Sequence, residues 1–261
     1  MTKSNNKEST KKVFAAVISI GIFLMLWQWA VIATSLGQLM PGPITVISSF
    51  IQSFYTPIGT SNIIQHVGWS LSRVMIAYVV AAVVGITLGV LMGWSPKIEA
   101  IFKPLYDIIR PIPPIAWIPL AIVWFGLGEM TKYFLIFLSA FSNITLNAYE
   151  GSKSVDPVLV GASRMLGANR TQTLLTVVLP GSMTSIFAGL QVAISTSWAT
   201  VVAAEMVRST EGVGWVIVSA QQTNDMNQTL VGILAIGIVG FILATIMRGV
   251  EEKLCRWNKS E

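Results

Sequence analysis

Few side chains in this sequence could perform chemistry, and those few do not form a catalytic set. One acid, Glu205, lies inside a long apolar run, and the single histidine, His66, lies just before another. No spacing of cysteines and histidines is typical of a metal site, and no G-x-x-x-x-G-K-[S/T] phosphate-binding sequence is present. We therefore expect a protein that is not an enzyme and that itself binds no metal or other cofactor.

The position of Glu205 leaves two interpretations open. An ionisable residue in an apolar helix usually faces a cavity or a partner of opposite charge. Glu205 therefore either pairs with Arg208 or lines the outer mouth of a translocation path. Polar side chains at helical spacing on the same run predict either a pore-lining face or a contact between helices. These residues are Gln191, Ser195, Ser197 and Thr200, and Gln191, Ser195 and Trp198 share one face.

The composition indicates a protein that lies in lipid. Hydrophobic residues make up 53% of the 261 residues and charged residues 11%, with a mean hydropathy of +0.68. Soluble domains carry about 25% charged residues. The first apolar run, 13–40, is far longer than the roughly 7–15 residues of a signal-peptide core, so we expect it to remain as an anchor. These features predict an all-α polytopic membrane protein, and the net charge of +5 does not require a nucleic-acid partner.

Apolar runs of about 20 residues can cross a bilayer, and this sequence has six regions of that kind. They predict spans at roughly 13–34, 72–93, 110–126, 131–149, 183–206 and 229–249. Prolines in RPIPPIAWIPL interrupt the third region, which predicts a kinked or late-starting helix. Arg110 at its start either extends to the lipid headgroups or helps to form an inner gate.

The distribution of positive charge predicts the orientation of these spans. With the N-terminus inside, all 17 lysines and arginines lie on inner segments except Arg73, Lys132 and Arg208. Such a bias is typical of cytoplasmic loops. Residues 1–12 are then a disordered cytoplasmic segment, 13–249 the transmembrane domain and 250–261 a cytoplasmic tail. The same orientation places the segment 150–182 in the cytoplasm.

The 150–182 segment has the pattern of two short helices joined by a turn. Asp156 followed by Pro157 is typical of a helix start, and Gly167 is typical of a helix end. A second helix is expected from about Thr171 to a stop at Pro180. One face of the first helix is apolar and consists of Val158, Ala162, Met165 and Leu166. A helix this short needs a cover for that face, from lipid headgroups, from other loops or from a partner protein.

The same segment resembles a known family. Gly167, followed ten residues later by Val177 and then by Leu179 and Pro180, has the spacing of the EAA…G…(I/V)-x-L-P loop of ABC importer permeases. Four further blocks are similar to permeases of the taurine, aliphatic-sulfonate, nitrate and bicarbonate branch. They are HVGWSLSRV, RPIPPIAWIPLAIVWFGLGE, LGANR and SWATVVAAEM. The sequence departs from the family at Gly161, which stands in place of the glutamate of Glu-Ala-Ala.

The resemblance implies a type I ABC importer permease fold with six transmembrane helices in a bacterial inner membrane. It also implies a homodimer, two ATP-binding-cassette ATPase subunits that hold ATP and magnesium, and an extracytoplasmic substrate-binding protein. The substrate would be a small anion, foremost a sulfonate such as taurine. Nitrate, bicarbonate or a pyrimidine precursor are alternatives within this class, and an ATP-independent transporter or channel is a more distant one.

In that family the loop is a coupling helix that docks on the ATPase, so the resemblance implies a coupling role for the matching residues here. These residues are Asp156, Ala162, Ser163, Arg164, Met165, Leu166, Gly167, Ala168, Arg170, Leu179 and Pro180. The residues predicted to form the path or its gates are Gln191, Ser195, Trp198, Glu205 and Arg110.

Overall fold

The computed structural model describes the backbone of residues 2–254 and the side chains of residues 14–253, and this part is almost entirely helical. In chain order the helices are α1 (Thr2–Ala33), α2 (Pro43–Gln52), α3 (Ile63–Trp94), α4 (Pro96–Ile109), α5 (Ile118–Phe125), α6 (Glu129–Lys153), α7 (Pro157–Met165), α8 (Arg170–Thr173), α9 (Leu179–Val207), α10 (Val213–Gln222) and α11 (Met226–Leu254). Short 3-10 segments occupy Ser35–Gln38 and Pro114–Trp117, and a π turn occupies Leu174–Val178. An isolated bridge between Ile58 and Ser61 is the only β pairing in the described range, which confirms the all-α prediction.

Four helical stretches of the described chain are long and apolar enough to cross a membrane. They are Phe14–Ala33, Ile63–Trp94, Arg170–Val207 and Met226–Lys253. The pair α4 and α5 would make a fifth span, broken by a bend of 88°. Helix α6 has 25 residues but is not among these stretches, because polar residues recur along it. Each of the six predicted spans overlaps a helix, but only four of these helices, or five with the bent pair, are long and apolar enough to cross a membrane.

The predicted third span, 110–126, is not a single helix. Helix α4 ends at Ile109, and the eight-residue α5 begins at Ile118 after the 3-10 turn. The prolines cause this break, because each lacks a backbone N–H and restricts the residue before it. Eight residues extend about 12 Å, less than half of the roughly 30 Å hydrocarbon core. The late start predicted from the prolines is confirmed, whereas the predicted length is wrong.

The predicted helix stop at Pro180 and a new start near residue 183 are also wrong. Helix α9 begins at Leu179, includes Pro180 as its second residue, and follows α8 through the π turn without a break. A π turn contains one more residue than an α turn and is correspondingly wider. Because the π turn lies directly before Pro180, it leaves room for a ring that would clash with a regular preceding turn.

Both predicted terminal segments overlap long helices. Helix α1 includes residues 2–12, for which the composition predicts disorder, and the side chains of these residues lie outside the described set. Helix α11 continues to Leu254, beyond the predicted start of the tail at residue 250. The rest of that tail, 255–261, lies outside the described residues.

The chain divides into two compact units, and the first contains residues 1–63 and 216–235. In this unit α1 packs on the 3-10 turn that follows it and on α2. Asn227 of α11 donates a hydrogen bond of 2.6 Å to Ser49 of α2. None of the most apolar window of α1 is buried, as expected of a helix whose side chains face lipid or a partner chain.

The second unit contains residues 64–215 and 236–261, and the pair α6 and α9 has the most extensive helix contact within it. This contact requires glycine at Gly189, because an added Cβ there would lie 2.6 Å from the Cβ of Asn147. On α3, the glycines Gly85, Gly89 and Gly93 lie four residues apart and face α6. Small residues at this spacing are typical of close contacts between membrane helices.

Candidate functional site

A cavity of about 540 Å³ lies between α4, α6 and α9 in the second unit. Its polar lining comes from Tyr106 of α4, Arg110 at the end of α4, Ser139, Ser142 and Asn143 of α6, and Thr196 and Thr200 of α9. The rest of the lining is mostly aliphatic and aromatic. Small-molecule sites usually have a volume of about 300–1,000 Å³ and a few polar groups in an apolar wall. This cavity has both properties.

Hydrogen bonds across the cavity wall join α6 to α9. The Asn143 amide donates to the Ser139 carbonyl over 2.9 Å and to the Thr196 hydroxyl over 3.2 Å. The Thr200 hydroxyl donates to the Thr196 carbonyl over 2.8 Å and lies 3.0 Å from Ser139 Oγ. Arg110, in contrast, has no carboxylate within ion-pair distance among residues 14–253. Its guanidinium is therefore the charged group of the cavity that has no counter-ion.

The structure places the other predicted path residues of α9 away from this cavity. Ser195 is exposed, and its hydroxyl donates to the carbonyl of Gln191 over 3.3 Å. Trp198 is buried, and its indole N–H donates to the carbonyl of Ile236 over 3.0 Å. The cavity face of α9 is formed by Thr196, Ala199 and Thr200, and of these Thr200 is one of the polar residues that the sequence marked. A role for Gln191, Ser195 or Trp198 in a path stays a prediction.

A second feature is a network of four charged side chains from three helices. Arg73 of α3 donates to Glu205 of α9 over 2.8 Å and, with two further N–H groups, to Glu129 of α6 over 2.6 and 2.9 Å. Lys132 lies 2.7 Å from Glu129 and 2.9 Å from the hydroxyl of Ser209. Burial raises the pKa of the Glu129 carboxyl, but hydrogen bonds from Arg73 and Lys132 outweigh it and hold this pKa below its ordinary value. Each charge in the network thus has a partner of opposite sign.

The same network holds the turn that follows α9. The Glu205 carboxylate accepts hydrogen bonds from the Ser70 hydroxyl at 2.8 Å and from the backbone N–H of Gly214 at 3.0 Å. His66 Nδ1 accepts from the backbone N–H of Gly212 over 3.1 Å. Gly212 has a φ of +111° and lies directly against the Glu205 carboxylate, so no other residue fits there. The turn is therefore built around one buried carboxylate.

The predicted pairing of Glu205 with Arg208 is wrong. Arg208 ends helix α9 with extended backbone angles, φ −162° and ψ 109°, which takes it out of the helical register in which residues three apart are neighbours. The partner is Arg73, which lies 132 positions earlier in the chain. Glu205 is 1% exposed and does not line the cavity. Its assignment to an outer mouth or gate stays a prediction.

The 150–182 segment forms the predicted first helix and turn. A carboxylate oxygen of Asp156 accepts from the backbone N–H of Val158 over 2.8 Å and caps α7. Gly167 follows α7 with a φ of +86°, a left-handed conformation that favours glycine. Asn169 and Gln172 then form a reciprocal capping box at the start of α8. The sequence predicted a second helix from about residue 171, and α8 begins at Arg170.

The end of α7 exposes apolar side chains beside two arginines. Met165 is 85% exposed and Leu166 is 88% exposed. The guanidinium groups of Arg164 and Arg170 lie 5.8 and 5.9 Å from the ring of Trp94, at the end of α3. Neither arginine has an ion-pair partner among the described side chains. The surface therefore combines uncovered apolar area with unpaired positive charge.

Comparison with known proteins identifies the family. The family described as "Binding-protein-dependent transport system inner membrane component" matches residues 85–256. This chain belongs to that family. The permease is 34% identical over 253 residues to the taurine transport system permease protein TauC of Escherichia coli (strain K12), which covers 95% of this chain and 91% of that protein. It is also 30% identical to the nitrate import permease protein NrtB of Synechocystis, over 92% of this chain and 88% of NrtB.

The permease also shares its fold with a solved transporter. The MetNI methionine ABC transporter, in an inward-facing conformation, superposes with a TM-score of 0.66 at 17% identity. The match covers 74% of this chain and 95% of that chain. The type I importer fold predicted from the sequence is thereby confirmed. The permease is an ABC importer subunit of the inner membrane and not an enzyme, and its family works with an ATPase and a substrate-binding protein.

Replacing Trp94 with leucine tests how the permease holds its two arginines. Each cation–π contact is worth about 0.5–1 kcal/mol at an exposed site, so we expect Trp94→Leu to release both guanidinium groups. If this surface docks the ATPase, as the resemblance implies, the amount of ATPase that remains bound during purification at moderate salt should fall about threefold to tenfold. Trp29, which is 65% exposed in α1, supplies the matched control, since Trp29→Leu should leave the bound amount unchanged. Equal losses in the two variants would exclude a specific role for Trp94.

Sequence reasoning missed the charge network and Trp94. A signal for the network was present, because Arg73 and Lys132 are two of the three cations outside the predicted cytoplasmic segments. A lysine or arginine that lies close to an apolar span but outside the cytoplasmic segments is expected to have an anionic partner nearby. No comparable signal marked Trp94, since its contacts with Arg164 and Arg170 depend on how α3 and the 150–182 segment pack.

Proposed function

We propose that this permease imports a small anion, foremost a sulfonate such as taurine, in an ATP-driven transporter. The observation that carries the proposal is Arg110, a cation without a counter-ion on a cavity whose lining contains no aspartate or glutamate. An anion that enters this cavity meets one positive group and no negative one, which favours its binding by charge. The similarity to the taurine permease of E. coli supports the choice of a sulfonate.

Coupling to ATP hydrolysis is proposed to run through the 150–182 segment. The exposed side chains of Met165 and Leu166, next to Arg164 and Arg170, provide apolar area and charge for a protein partner. Closure of the ATPase subunits would pull α7 and α8 and, through the continuous backbone of α8 and α9, the helix that forms one wall of the cavity. Packed helices that rock between two arrangements would then open the cavity to alternate sides.

The proposal also includes the number of permease subunits in the transporter and the orientation of the permease in the membrane. One chain supplies one set of membrane helices, and several apolar side chains of α5 are exposed, including Val123 at 79% and Trp124 at 55%. A second copy of the permease would cover such side chains, so we infer a homodimer with two ATPase subunits. The excess of lysine and arginine on alternate segments supports cytoplasmic termini and a binding protein on the opposite side.

Nitrate and bicarbonate remain the second candidate class of substrate. The similarity to NrtB of Synechocystis at 30% identity supports nitrate, and a bicarbonate permease of Synechococcus elongatus is equally similar at 30%. A single arginine could attract any of these ions, so charge by itself does not select among them. A direct comparison of substrates is therefore the decisive experiment.

We expect ATP-dependent uptake of taurine by proteoliposomes that contain the permease, the ATPase and the binding protein from the same gene cluster. Uptake of labelled taurine should stop without ATP, and unlabelled sulfonates should compete with it. Unlabelled nitrate and bicarbonate at the same concentration should not compete. A transporter that takes up labelled nitrate or bicarbonate but no taurine would contradict the sulfonate assignment and leave the anion class intact. Uptake that persists without ATP would contradict the whole proposal.

A further inference from the structure

Helix α2 has three faces that differ in chemistry and in exposure. One face packs on the protein and contains Pro43 and Val46, both buried. The remaining surface divides into two exposed strips, because residues three or four apart lie on the same side of an α-helix. The first strip is apolar and consists of Ile44, Ile47 and Ile51, which are 72%, 46% and 58% exposed. The second strip is polar, lies directly beside the first and consists of Thr45, Ser48 and Gln52.

The position of α2 in the chain limits what can cover the apolar strip. The helix lies between two helices that are long and apolar enough to cross a membrane, α1 and α3. Its ten residues extend about 15 Å, too short to cross the roughly 30 Å hydrocarbon core. Exposed apolar side chains lead from the end of α1 towards α2, at Ile32, Leu36 and Leu39. The strip therefore continues, along the chain, the exposed apolar surface of α1 at the end of that span.

The absence of charge around α2 favours a lipid surface over a protein partner. No lysine, arginine, aspartate or glutamate occurs in residues 13–72, and the apolar strip consists only of isoleucine. Protein surfaces that bind and release a partner usually have polar rims, and their strongest contacts come from tryptophan, tyrosine and arginine. Tyr55, just after the helix, is 86% exposed, and tyrosine is enriched where hydrocarbon meets water. This combination fits the boundary between a bilayer and water.

We propose that α2 is an interfacial helix that lies along the membrane surface, with its apolar strip in the lipid and its polar strip in the water. Such helices bury the apolar face about 5–10 Å into the boundary between headgroups and acyl chains. Ser49 of α2 accepts a hydrogen bond of 2.6 Å from Asn227 near the start of α11. The carbonyl of Ser53 accepts one of 3.1 Å from the backbone N–H of Ile63, the first residue of α3. Through these two bonds the lipid surface fixes the depth at which α3 and α11 begin.

Nitroxide labels at neighbouring positions test this arrangement in the permease–ATPase complex in lipid nanodiscs. Cys255 is the single cysteine of the chain, so Cys255→Ser provides the background for Ile47→Cys and for its matched control, Ser48→Cys. Both positions are exposed, so a label at either one replaces no buried side chain. Oxygen concentrates in lipid, whereas a nickel chelate stays in water, and power-saturation EPR measures collisions of the label with each. The ratio of oxygen to nickel collisions should be about threefold to tenfold higher at residue 47 than at residue 48.

A second pair of labels, from Ile51→Cys and Gln52→Cys, repeats the comparison one turn later and should give the same difference, because the helix lies along the surface. Equal ratios at the two positions of either pair would overturn the proposal. An immobile label at residue 47 that neither reagent reaches would overturn it too, since protein, such as a second copy of the permease, would then cover the strip. A label at residue 47 that oxygen reaches only until the binding protein is added would assign the strip to that protein instead of to lipid.

Discussion

Replacing Gly167 with valine should abolish ATP-driven uptake while the permease still inserts into the membrane. Gly167 has a φ of +86° in the turn between α7 and α8. A β-branched residue in this left-handed conformation costs about 1–3 kcal/mol of strain, and the turn can relieve that strain by changing the angle between the two helices. The surface formed by Met165, Leu166 and the two arginines would then no longer fit one partner. Uptake and ATP hydrolysis in proteoliposomes, normalised to the inserted permease, measure the effect.

Gly161 provides the matched control for this variant. It lies inside α7, and an added Cβ would meet nothing within 4 Å. Gly161→Ala should therefore leave uptake at the wild-type level, and alanine favours the helix by up to about 1 kcal/mol. Normal uptake by Gly167→Val would remove the coupling role of this turn. Loss of uptake in both variants would show that the segment tolerates no substitution, and the left-handed turn would then not be the cause.

The second large effect is expected from Glu205→Gln. Arg73 would lose a buried anionic partner at 2.8 Å, although it would keep Glu129. Removal of one member of a buried ion pair costs about 3–5 kcal/mol, and the remaining contact with Glu129 places this case near the lower limit. We expect a fall of several degrees in the unfolding temperature of the purified complex. Uptake per inserted permease should fall as well, because the turn at Gly212 and Gly214 is built on this carboxylate, while binding of the ATPase persists.

Two further variants separate the buried pair from a general effect of charge. Glu211 contributes its backbone carbonyl to the network, accepting from Arg73 over 3.1 Å, and its side chain makes no ion pair within residues 14–253. Glu211→Gln removes the same charge from the same turn and should leave the unfolding temperature unchanged. Adding Arg73→Met to Glu205→Met should restore part of the stability that Glu205→Met loses, because the excess positive charge is removed and Lys132 and Glu129 remain as a balanced pair. Equal unfolding temperatures for Glu205→Gln and the wild type would show that the pair stabilises nothing.

The sequence predicts the parts of this fold that local physics determines. Hydropathy located the helices, and the prolines after Arg110 predicted the late start of α5. The helix start at Asp156 and the turn at Gly167 follow from the capping preferences of single residues. In each case the information lies within a few positions of the feature, so no knowledge of tertiary packing is needed.

The errors concern features that depend on distant parts of the chain. Arg208 was a reasonable neighbour for Glu205 on a continuing helix, but the helix ends there and the partner comes from α3. The stop at Pro180 was predicted from the usual effect of proline, and a π turn that no local rule predicts accommodates its ring. Thr196 and Thr200 form the cavity face of α9. Thr196 lies one residue after the predicted Ser195, and Thr200 lies two residues after the predicted Trp198. The packing of α6 against α9 decides which face of α9 is buried. Gly85, Gly89 and Gly93 carried a readable signal for the packing of α3 on α6.

The charge network of Arg73, Lys132, Glu129 and Glu205 has an electrical consequence. Its two cations and two anions sum to zero, and they lie within contact distance of one another. Transfer of one elementary charge through a membrane potential of 100 mV costs about 2.3 kcal/mol, whereas displacement of a neutral group costs nothing of this kind. A joint displacement of α3, α6 and α9 at this end would therefore move no net charge of the network across the membrane potential.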